Sequence, residues 1–333
     1  MIGCFAAWNR SNDVLRKSTS GGMFTALAEK IISLGGVVIG AAYDEMVNVR
    51  HEIVDSVEGL ARLRGVKYVC GEIGKDVYEG MRKALDSGRQ VMFVGLPCQA
   101  AAVRKMFGKV PNLLICDLVC FGAPPHLLWR KYVDWMEAKR GNRLVCIDPR
   151  DKLNGWGRKT YYRYEWADGS IKRRASLYDP YSFAFYSALA FRRCCFSCQF
   201  KGFERISDIT LGDFWGAERL GLSKEVVRRG VSGVIVHTVA GRISLEAADV
   251  CRMEVGKDVL LAENHMIERS AAMPERWEEF NKDVKVMDFD GLVCKYRLQV
   301  TRLRVMKWQL HAWVSRLKSR IIVCVKFARF IDT

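Results

Sequence analysis

The stretch QVMFVGLPCQAAAVRKMF at 90–107, with NLLICDLVCFGAPP at 112–125 after it, decides the fold of this 333-residue chain. Each stretch opens with a continuous apolar run of strand length. The first run breaks at Leu96–Pro97–Cys98 and continues in a helical pattern, and the second ends at Cys120. Continuous apolar runs that alternate with helices are typical of parallel strands buried on both faces. The two stretches therefore predict adjacent parallel strands in an α/β sheet.

The same alternation extends toward the N-terminus and stops at about residue 142. A helical pattern at 23–36 ends at Gly35–Gly36, and the strand-like run VVIGAAYD follows at 37–44. Further helices are predicted at 57–63 and 75–87. The later segment TYYRYEWADGSIKRRA at 160–175, with a turn at Asp168–Gly169, favours antiparallel strands. VSGVIVHTV at 231–239 predicts a further strand, followed by a turn at Ala240–Gly241 and the start of a helix.

The predicted fold class is therefore α/β, with an α+β second half. We expect a mostly parallel sheet with flanking helices, an antiparallel portion and a C-terminal helical extension. No apolar run reaches the length of a membrane-spanning helix, and the first residues lack the pattern of a secretory signal, so a cytoplasmic protein is predicted.

The basic charge of the chain is concentrated at one end. The net charge is +16, yet residues 291–331 contain ten Lys or Arg residues and no Asp or Glu. A nucleic-acid-binding domain is expected to be basic over its binding face, so this distribution argues against a nucleic-acid partner. In the tail, apolar residues recur every three or four positions between Leu303 and Leu317. A basic amphipathic helix suits an anionic membrane surface or an acidic partner, and the alternative is a helix docked on its own domain.

Four cysteines form the strongest chemical signal. Cys98 and Cys120 each follow a predicted parallel strand, at the sheet edge where ligands bind in α/β folds. Cys195 and Cys198 form a CxxC, a spacing that lets two thiolates bind one metal centre, and Cys194 could replace Cys195. Four thiolates suffice for a [4Fe–4S] cluster. Zinc is the alternative metal, and inert core cysteines are the alternative without a metal.

Two further segments have the composition of an anion site. Residues 18–22 precede the first long helix, and a helix start offers free N–H groups and the positive end of the dipole to a phosphate. The alternative is plain capping of that helix. Lys67, in the segment RGVKYV, offers a cationic contact, although such residues are usually solvated surface. The residues concerned are Ser18, Thr19, Ser20, Gly21, Gly22 and Lys67.

Seven blocks of the sequence, in order and spread from about residue 5 to residue 245, resemble the beta subunits of coenzyme F420 hydrogenases and dehydrogenases. One departure is Phe121, which stands in CFG where the family usually has CHG. The blocks are RKSTSGGMFTALAEKII, GGVVIGAAYDE, LRGVKYV, GLPCQAAAV, DLVCFGAPP, CCFSCQFKG and SDITLGDFWG.

The resemblance implies an oxidoreductase subunit with FAD and one [4Fe–4S] cluster. By position, Cys98, Cys120, Cys195 and Cys198 match the cluster cysteines. The turn at 18–22 and Lys67 match positions expected to meet FAD. The implied electron acceptor is coenzyme F420 or another hydride carrier. The sequence begins without the ferredoxin segment that many relatives carry, so a ferredoxin-like donor or a partner redox subunit is expected.

Three regions follow from the resemblance. Residues 1–88 are expected to bind flavin, residues 89–250 to carry the cluster cysteines, and residues 251–333 to form a helical basic tail. The expected setting is polysaccharide biosynthesis, in the cytoplasm and peripheral to the inner membrane surface. The alternative function is a non-catalytic or zinc-stabilised assembly protein, or a membrane-surface adaptor, that keeps the fold. The sequence assigns no catalytic residue.

Overall fold

A central eight-stranded sheet organises the protein, whose computed structural model describes residues 1–299. A separate sheet has three antiparallel strands. The strands are β1 Gly3–Asn9, β2 Val37–Tyr43, β3 Val49–Val54, β4 Val91–Gly95, β5 Leu113–Leu118, β6 Leu144–Asp151, β7 Tyr161–Trp166, β8 Ile171–Ala175, β9 Ile209–Asp213, β10 Ser232–Val236 and β11 Val250–Val255. The helices are α1 Asn12–Lys17, α2 Met23–Ser33, α3 Leu60–Leu63, α4 Lys75–Asp86, α5 Pro97–Phe107, α6 His126–Arg140, α7 Pro180–Tyr186, α8 Lys224–Arg229, α9 Val239–Ala247, α10 Lys257–Leu261, α11 Trp277–Val286 and α12 Phe289–Tyr296.

The strand order of the large sheet is β11-β1-β10-β9-β5-β4-β2-β3. The four strands β9, β5, β4 and β2 are parallel, and β1 points the same way because two antiparallel pairings, with β10 between them, separate it from β9. Five of the eight strands therefore point in one direction. The α/β class with a mostly parallel sheet and an antiparallel portion is confirmed.

Helices cover both faces of the sheet, which explains its unbroken apolar strands. All five residues of β4 are buried. On one face, Leu27 of α2 and Leu245 of α9 pack in a cluster with Met92. On the other, Met81 of α4 and Val103 of α5 pack with Phe93. Alternate residues of β4 therefore contact opposite helical layers, as the pleat of a strand requires.

The three-stranded sheet has a core of its own. Trp129 and Tyr132 of α6, Tyr162 and Tyr164 of β7, and Phe280 of α11 are each at most 2% exposed and belong to one cluster. The helices α11 and α12 complete this cluster, so the expected C-terminal helices are present as far as residue 299. The amphipathic residues predicted between Leu303 and Leu317 lie outside the described residues.

One local prediction is wrong. The predicted turn at Ala240–Gly241 lies inside α9, which begins at Val239, one residue before Ala240, with Thr238 as its N-cap. The Thr238 hydroxyl accepts a hydrogen bond from the Gly241 N–H at 3.1 Å. A Cβ on Gly241 would collide with the Asp208 carbonyl oxygen, so this glycine allows close packing rather than a turn. Across residues 1–299, every helix is too short or too polar to cross a membrane.

Candidate functional site

The carboxyl ends of the parallel strands carry most of the predicted site residues. Cys98 follows β4 and Cys120 follows β5, and these two strands are paired with Gly95 opposite Asp117. Each cysteine is therefore three residues beyond a paired position, on neighbouring strands that lie about 4.8 Å apart. The sheet thus brings Cys98 and Cys120 to one edge.

The segment that holds the CxxC packs against the loop after β5. Lys201, three residues after Cys198, donates hydrogen bonds to the carbonyls of Cys120 and, at 2.7 Å, Met266. Phe121 packs edge-on against Phe191, with 5.0 Å between ring centroids, and Cys195 packs against the same aromatic cluster. The CxxC is therefore held beside Cys120.

Electrostatic coupling supports the proximity of the four thiols. Burial raises the pKa of Cys120 to about 12, Lys201 acts in the opposite direction, and Cys195, Cys98 and Cys198 raise it further. Between the two adjacent cysteines, Cys194 is exposed whereas Cys195 is half-buried, which favours Cys195 as the inward-facing thiol.

A fifth thiol, Cys70, lies beside the four. Its backbone N–H donates to the Pro124 carbonyl at 3.0 Å, and the next carbonyl, of Gly71, accepts from the Gln99 side chain at 2.6 Å. Burial raises the pKa of Cys70, while Arg192 lowers it and Cys98 raises it. From the sequence, Cys70 is expected to be a core cysteine, because nothing in its local pattern indicates that its loop bridges two strand ends.

The thiols do not converge on a single point. Within residues 1–299, no three Cys, His, Asp or Glu side chains meet the geometry for holding one metal ion. In a [4Fe–4S] cluster each cysteine binds a different iron, so its sulfurs need not approach one atom. The donor set of four neighbouring thiols thus fits a four-iron cluster in number and chemistry.

The turn at 18–22 lies at the same sheet edge, after β1. Its polar groups have partners within the protein: Ser20 Oγ donates to the Val231 carbonyl at 2.8 Å, and the Gly21 N–H donates to Ser232 Oγ at 2.9 Å. Gly22 is the N-cap of α2 and has a φ of +76°, and α2 has no side-chain cap. Ser18 and Thr19 are half-buried. Capping by a side-chain hydroxyl, which was the alternative to a phosphate site, therefore does not occur at the start of α2.

Lys67 lies near the carboxyl end of β2, 5.7 Å from the centroid of the Tyr43 ring. Its ammonium donates to four carbonyls at the end of α3, those of Arg62, Leu63, Arg64 and Gly65, at 2.9–3.3 Å. Burial lowers the pKa of Lys67 to about 8. In the described structure, Lys67 thus caps a short helix beside the strand ends.

The strand β6 and the residue after it supply cations that no sequence motif predicts. Arg150 is 8% exposed and binds Asp213, at the end of β9, with 3.0 Å between Nη1 and Oδ2. Lys152 donates to the Ser20 carbonyl in the predicted turn. Both residues lie in the segment CIDPRDK. The charged residues at every second position, Asp148, Arg150 and Lys152, are the one feature of the sequence that could have indicated them. Strand β6 therefore reaches from the end of β9 toward the turn after β1.

Aromatic residues fill the space between these cations and the thiols. The Tyr68 ring stacks on Phe185 at 4.3 Å, and its hydroxyl lies 3.2 Å from that of Tyr186. Phe185 packs in turn against Phe191, in the cluster that contains Cys195. The cationic and thiol-bearing parts of the edge are thus joined by one aromatic layer.

The comparisons with known proteins concern the family and the fold of the chain. No curated protein matches the sequence. A similar fold occurs in a chain from the xenon-derivatized F420-reducing [NiFe] hydrogenase complex of Methanosarcina barkeri: the TM-score is 0.51, the identity 16%, and the match covers 85% of this chain and 90% of that one. The family model for the C terminus of the coenzyme F420 hydrogenase/dehydrogenase beta subunit matches residues 88–257, just over half of the chain. The chain therefore belongs to the beta-subunit family of coenzyme F420 hydrogenases and dehydrogenases, a family of oxidoreductase subunits.

Proposed function

We propose that the protein is an electron-transfer subunit that binds FAD and one [4Fe–4S] cluster, with Cys98, Cys120, Cys195 and Cys198 as cluster ligands. The proposal is supported by the placement of four thiols from three separate segments near one sheet edge, where Lys201 joins the CxxC segment to the Cys120 carbonyl. Core cysteines have no reason to gather in this way.

The flavin is proposed to lie along the aromatic layer between the cations and the thiols. Tyr68 and Tyr186 offer rings for stacking, Lys67 precedes Tyr68 in the sequence, and the turn at Ser18–Gly22 is proposed to contact the phosphates of FAD. When bound, FAD supplies the exchange between two-electron hydride transfer and single-electron transfer. The thiol-bound cluster beside it would carry the single electrons.

The proposed partners follow from that chemistry. The structural neighbour from Methanosarcina barkeri is a chain of a multi-subunit F420-reducing hydrogenase, so we propose a partner redox subunit or ferredoxin-like protein as the electron donor. Coenzyme F420 or another hydride carrier is the proposed acceptor. A role in polysaccharide biosynthesis and a location at the inner membrane surface stay predictions from the sequence.

Metal and flavin content test the proposal. The protein, purified and reconstituted without oxygen, is expected to hold about four irons and four sulfides per chain. Serine at Cys98, Cys120, Cys195 or Cys198 should remove most of the iron, since each thiolate binds one iron atom. The control is Cys294→Ser, which changes an exposed cysteine in α12.

Three outcomes decide between the candidates. Iron and sulfide lost only in the four variants would support the cluster. Zinc without sulfide would favour the metal-stabilised assembly protein instead. A reconstituted protein with neither iron nor flavin would overturn the redox proposal.

A further inference from the structure

Strand β11 forms one edge of the eight-stranded sheet. It pairs with β1 on one side, and between residues 1 and 299 no strand pairs with it on the other. The outer side of an edge strand presents backbone N–H and C=O groups that can pair with a strand of another chain. Strand β11 contains no proline and pairs with β1 in an unbroken register, so its backbone is suited to such pairing.

The side chains of β11 form two different faces. Cys251, Met253 and Val255 alternate along one face, and all three are half-buried. Arg252 and Glu254 alternate along the other face, and both are exposed. The strand therefore has an apolar face that is only partly covered and a face with one charge of each sign.

The two charges on this strand are not neutralised by their own chain within residues 1–299. Arg252 donates to the Leu245 carbonyl at 3.4 Å, a contact that carries no opposite charge. The ion pairs that flank the strand join Arg10 to Asp249 and Lys257 to Glu268, and they include neither charge of β11. Both charges are therefore available to a partner.

Antiparallel pairing of two copies about Met253 matches both faces of β11. Residues directly opposite each other in an antiparallel pair lie on the same face of the joined sheet. With Met253 opposite Met253 of the second copy, Arg252 lies opposite Glu254, and Cys251 lies opposite Val255. Opposite charges then meet on one face, and apolar side chains meet on the other. The sequence of this edge thus complements itself.

Other registers lose this match. A slide of two residues places either Arg252 or Glu254 opposite its own copy, and like charges directly opposite each other are destabilising. A slide of one residue places the charged face of one copy beside the apolar face of the other. The pairing about Met253 is therefore the favoured register.

The other edge strands of the described structure are less suited to pairing with a copy of themselves. The outer side of β3 is bridged by Glu72, whose carbonyl accepts from the His51 N–H at 2.7 Å. Strand β8 carries three consecutive cations at 172–174, which would repel those of a second copy. Strand β6 contains Pro149 and pairs irregularly with β7.

We propose that two copies of this chain associate in solution through antiparallel pairing of β11 about a two-fold axis at Met253, which joins their eight-stranded sheets into one. Such an interface is isologous, so each dimer contains the Arg252–Glu254 pair twice. The inference does not rest on the proposed redox function. The alternative occupant of the edge is a segment of another protein or of the same chain, and either predicts that the purified protein is a monomer.

The mass of the full-length protein in solution tests the inference. Sedimentation equilibrium over a concentration series should show the wild type approaching the mass of two chains of 37.9 kDa each. Glu254→Arg places two pairs of like charges in the interface and should weaken association roughly tenfold or more. The double variant Arg252→Glu with Glu254→Arg restores opposite charges and should associate like the wild type. The matched control is Glu278→Arg, the same charge change at an exposed position of α11, which should leave the dimer intact.

Disulfide formation tests the register. Met253→Cys places two thiols directly opposite each other on the axis, where the Cα atoms are about 4.5–5.5 Å apart and a disulfide can form. Oxidation should link two chains through position 253, as located by mass spectrometry. Glu254→Cys is the comparison, because position 254 lies diagonal to its copy, at about 7–8 Å, and should not link.

Four outcomes would overturn the inference, whatever the iron and flavin content of the protein. A wild type that keeps the mass of one chain throughout the series would mean that β11 meets no second copy. A dimer that persists in Glu254→Arg would place the interface elsewhere. A double variant that stays monomeric, or a disulfide through position 254 instead of 253, would contradict the register. Restored association of the double variant would show that the single variant loses the interface and not the fold.

Discussion

At the scale of single residues, burial changes the pKa of ionisable side chains and so determines whether they carry a charge. His237, after β10, lies in a polar network with Thr210 and Asp117. The Thr210 hydroxyl donates to Asp117, so its oxygen accepts from His237 Nε2–H, and His237 Nδ1 is buried without a hydrogen-bond partner in the described structure. Burial, with a smaller effect of Arg205, lowers the pKa of His237 to about 4. The imidazole is therefore neutral in the folded protein at pH 7.

This histidine should make stability depend on pH. Between pH 6.5 and pH 4 the unfolded imidazole binds a proton and the folded one does not, so the free energy of unfolding falls as the pH falls. His237→Gln removes this contribution, and its unfolding free energy should fall less over the same interval. Urea unfolding at pH 7 and pH 5 measures the difference.

The control for this prediction is His265→Gln, which changes an exposed histidine. The unfolding free energy of this variant should fall by the same amount as that of the wild type between pH 7 and pH 5. If the His237→Gln and wild-type proteins lose equal stability between the two pH values, His237 does not stay neutral in the fold.

At the scale of elements, the turn between α1 and α2 is fixed by backbone packing. A Cβ on Gly21 would lie 2.5 Å from the Ala7 carbonyl oxygen and 2.7 Å from the Ser232 nitrogen. Both atoms belong to paired strands, β1 and β10, and cannot move without disturbing the ladder between them. This glycine thus holds the turn against the sheet.

Gly21→Ala should therefore destabilise the protein by about 3 kcal/mol, as expected for overpacking at a rigid site. Gly157→Ala is the control, because a Cβ on Gly157 has no neighbour within 4 Å, and its effect should stay below about 0.5 kcal/mol. Chemical denaturation measures both. Equal stabilities of the two variants would mean that β1 and β10 yield to the added methyl group.

The sequence predicts the strands that belong to a local alternation of strand and helix, and it misses strand β1. The sequence predicts strands β4 and β5 because their apolar runs are continuous and a single helix separates them. Strand β1 has an apolar sequence, yet both of its partners, β10 and β11, are more than 220 residues away, and no local pattern indicates them. The sequence around Gly241 predicts a turn, because the reason for this glycine is its close approach to the Asp208 carbonyl, a tertiary contact that no local pattern indicates.

The residues of the candidate site likewise fall into those that the sequence predicts and those that it does not. The strand ends and the CxxC are enough to predict Cys98, Cys120, Cys195 and Cys198 as candidate ligands, because the topology of an α/β sheet brings strand ends together. Arg150 and Lys152 are not identifiable, since an Arg or Lys is solvated by default and only the packing of β6 across the sheet edge buries these two.

At the scale of the whole molecule, the three-stranded sheet has a second core, distinct from the clusters on the two faces of the large sheet. The cluster around Trp129 and Tyr132 joins α6 to the three-stranded sheet and to the C-terminal helices α11 and α12. Phe280 of α11 is fully buried in this cluster, and its ring packs edge-on against Tyr296 at 4.8 Å. The helices after residue 276 are therefore part of the structural core.

Phe280→Ala should reduce the free energy of unfolding by about 3–5 kcal/mol, through lost apolar contact and the cavity left behind. The control is Val286→Ala on the same helix, where the side chain is 81% exposed and the change should be within about 0.5 kcal/mol. Thermal unfolding followed by circular dichroism compares them. A small effect of Phe280→Ala would show that α11 is dispensable for the second core.

The pairing of β1 has a consequence for synthesis of the protein. A ribosome makes Gly3–Asn9 more than 220 residues before the two segments that pair on either side of it, Ser232–Val236 and Val250–Val255. Until then, the nascent polypeptide carries an apolar segment with unsatisfied backbone groups, the condition that favours aggregation and chaperone capture. Strand β1 can therefore complete its pairing only after segments that are made much later have left the ribosome.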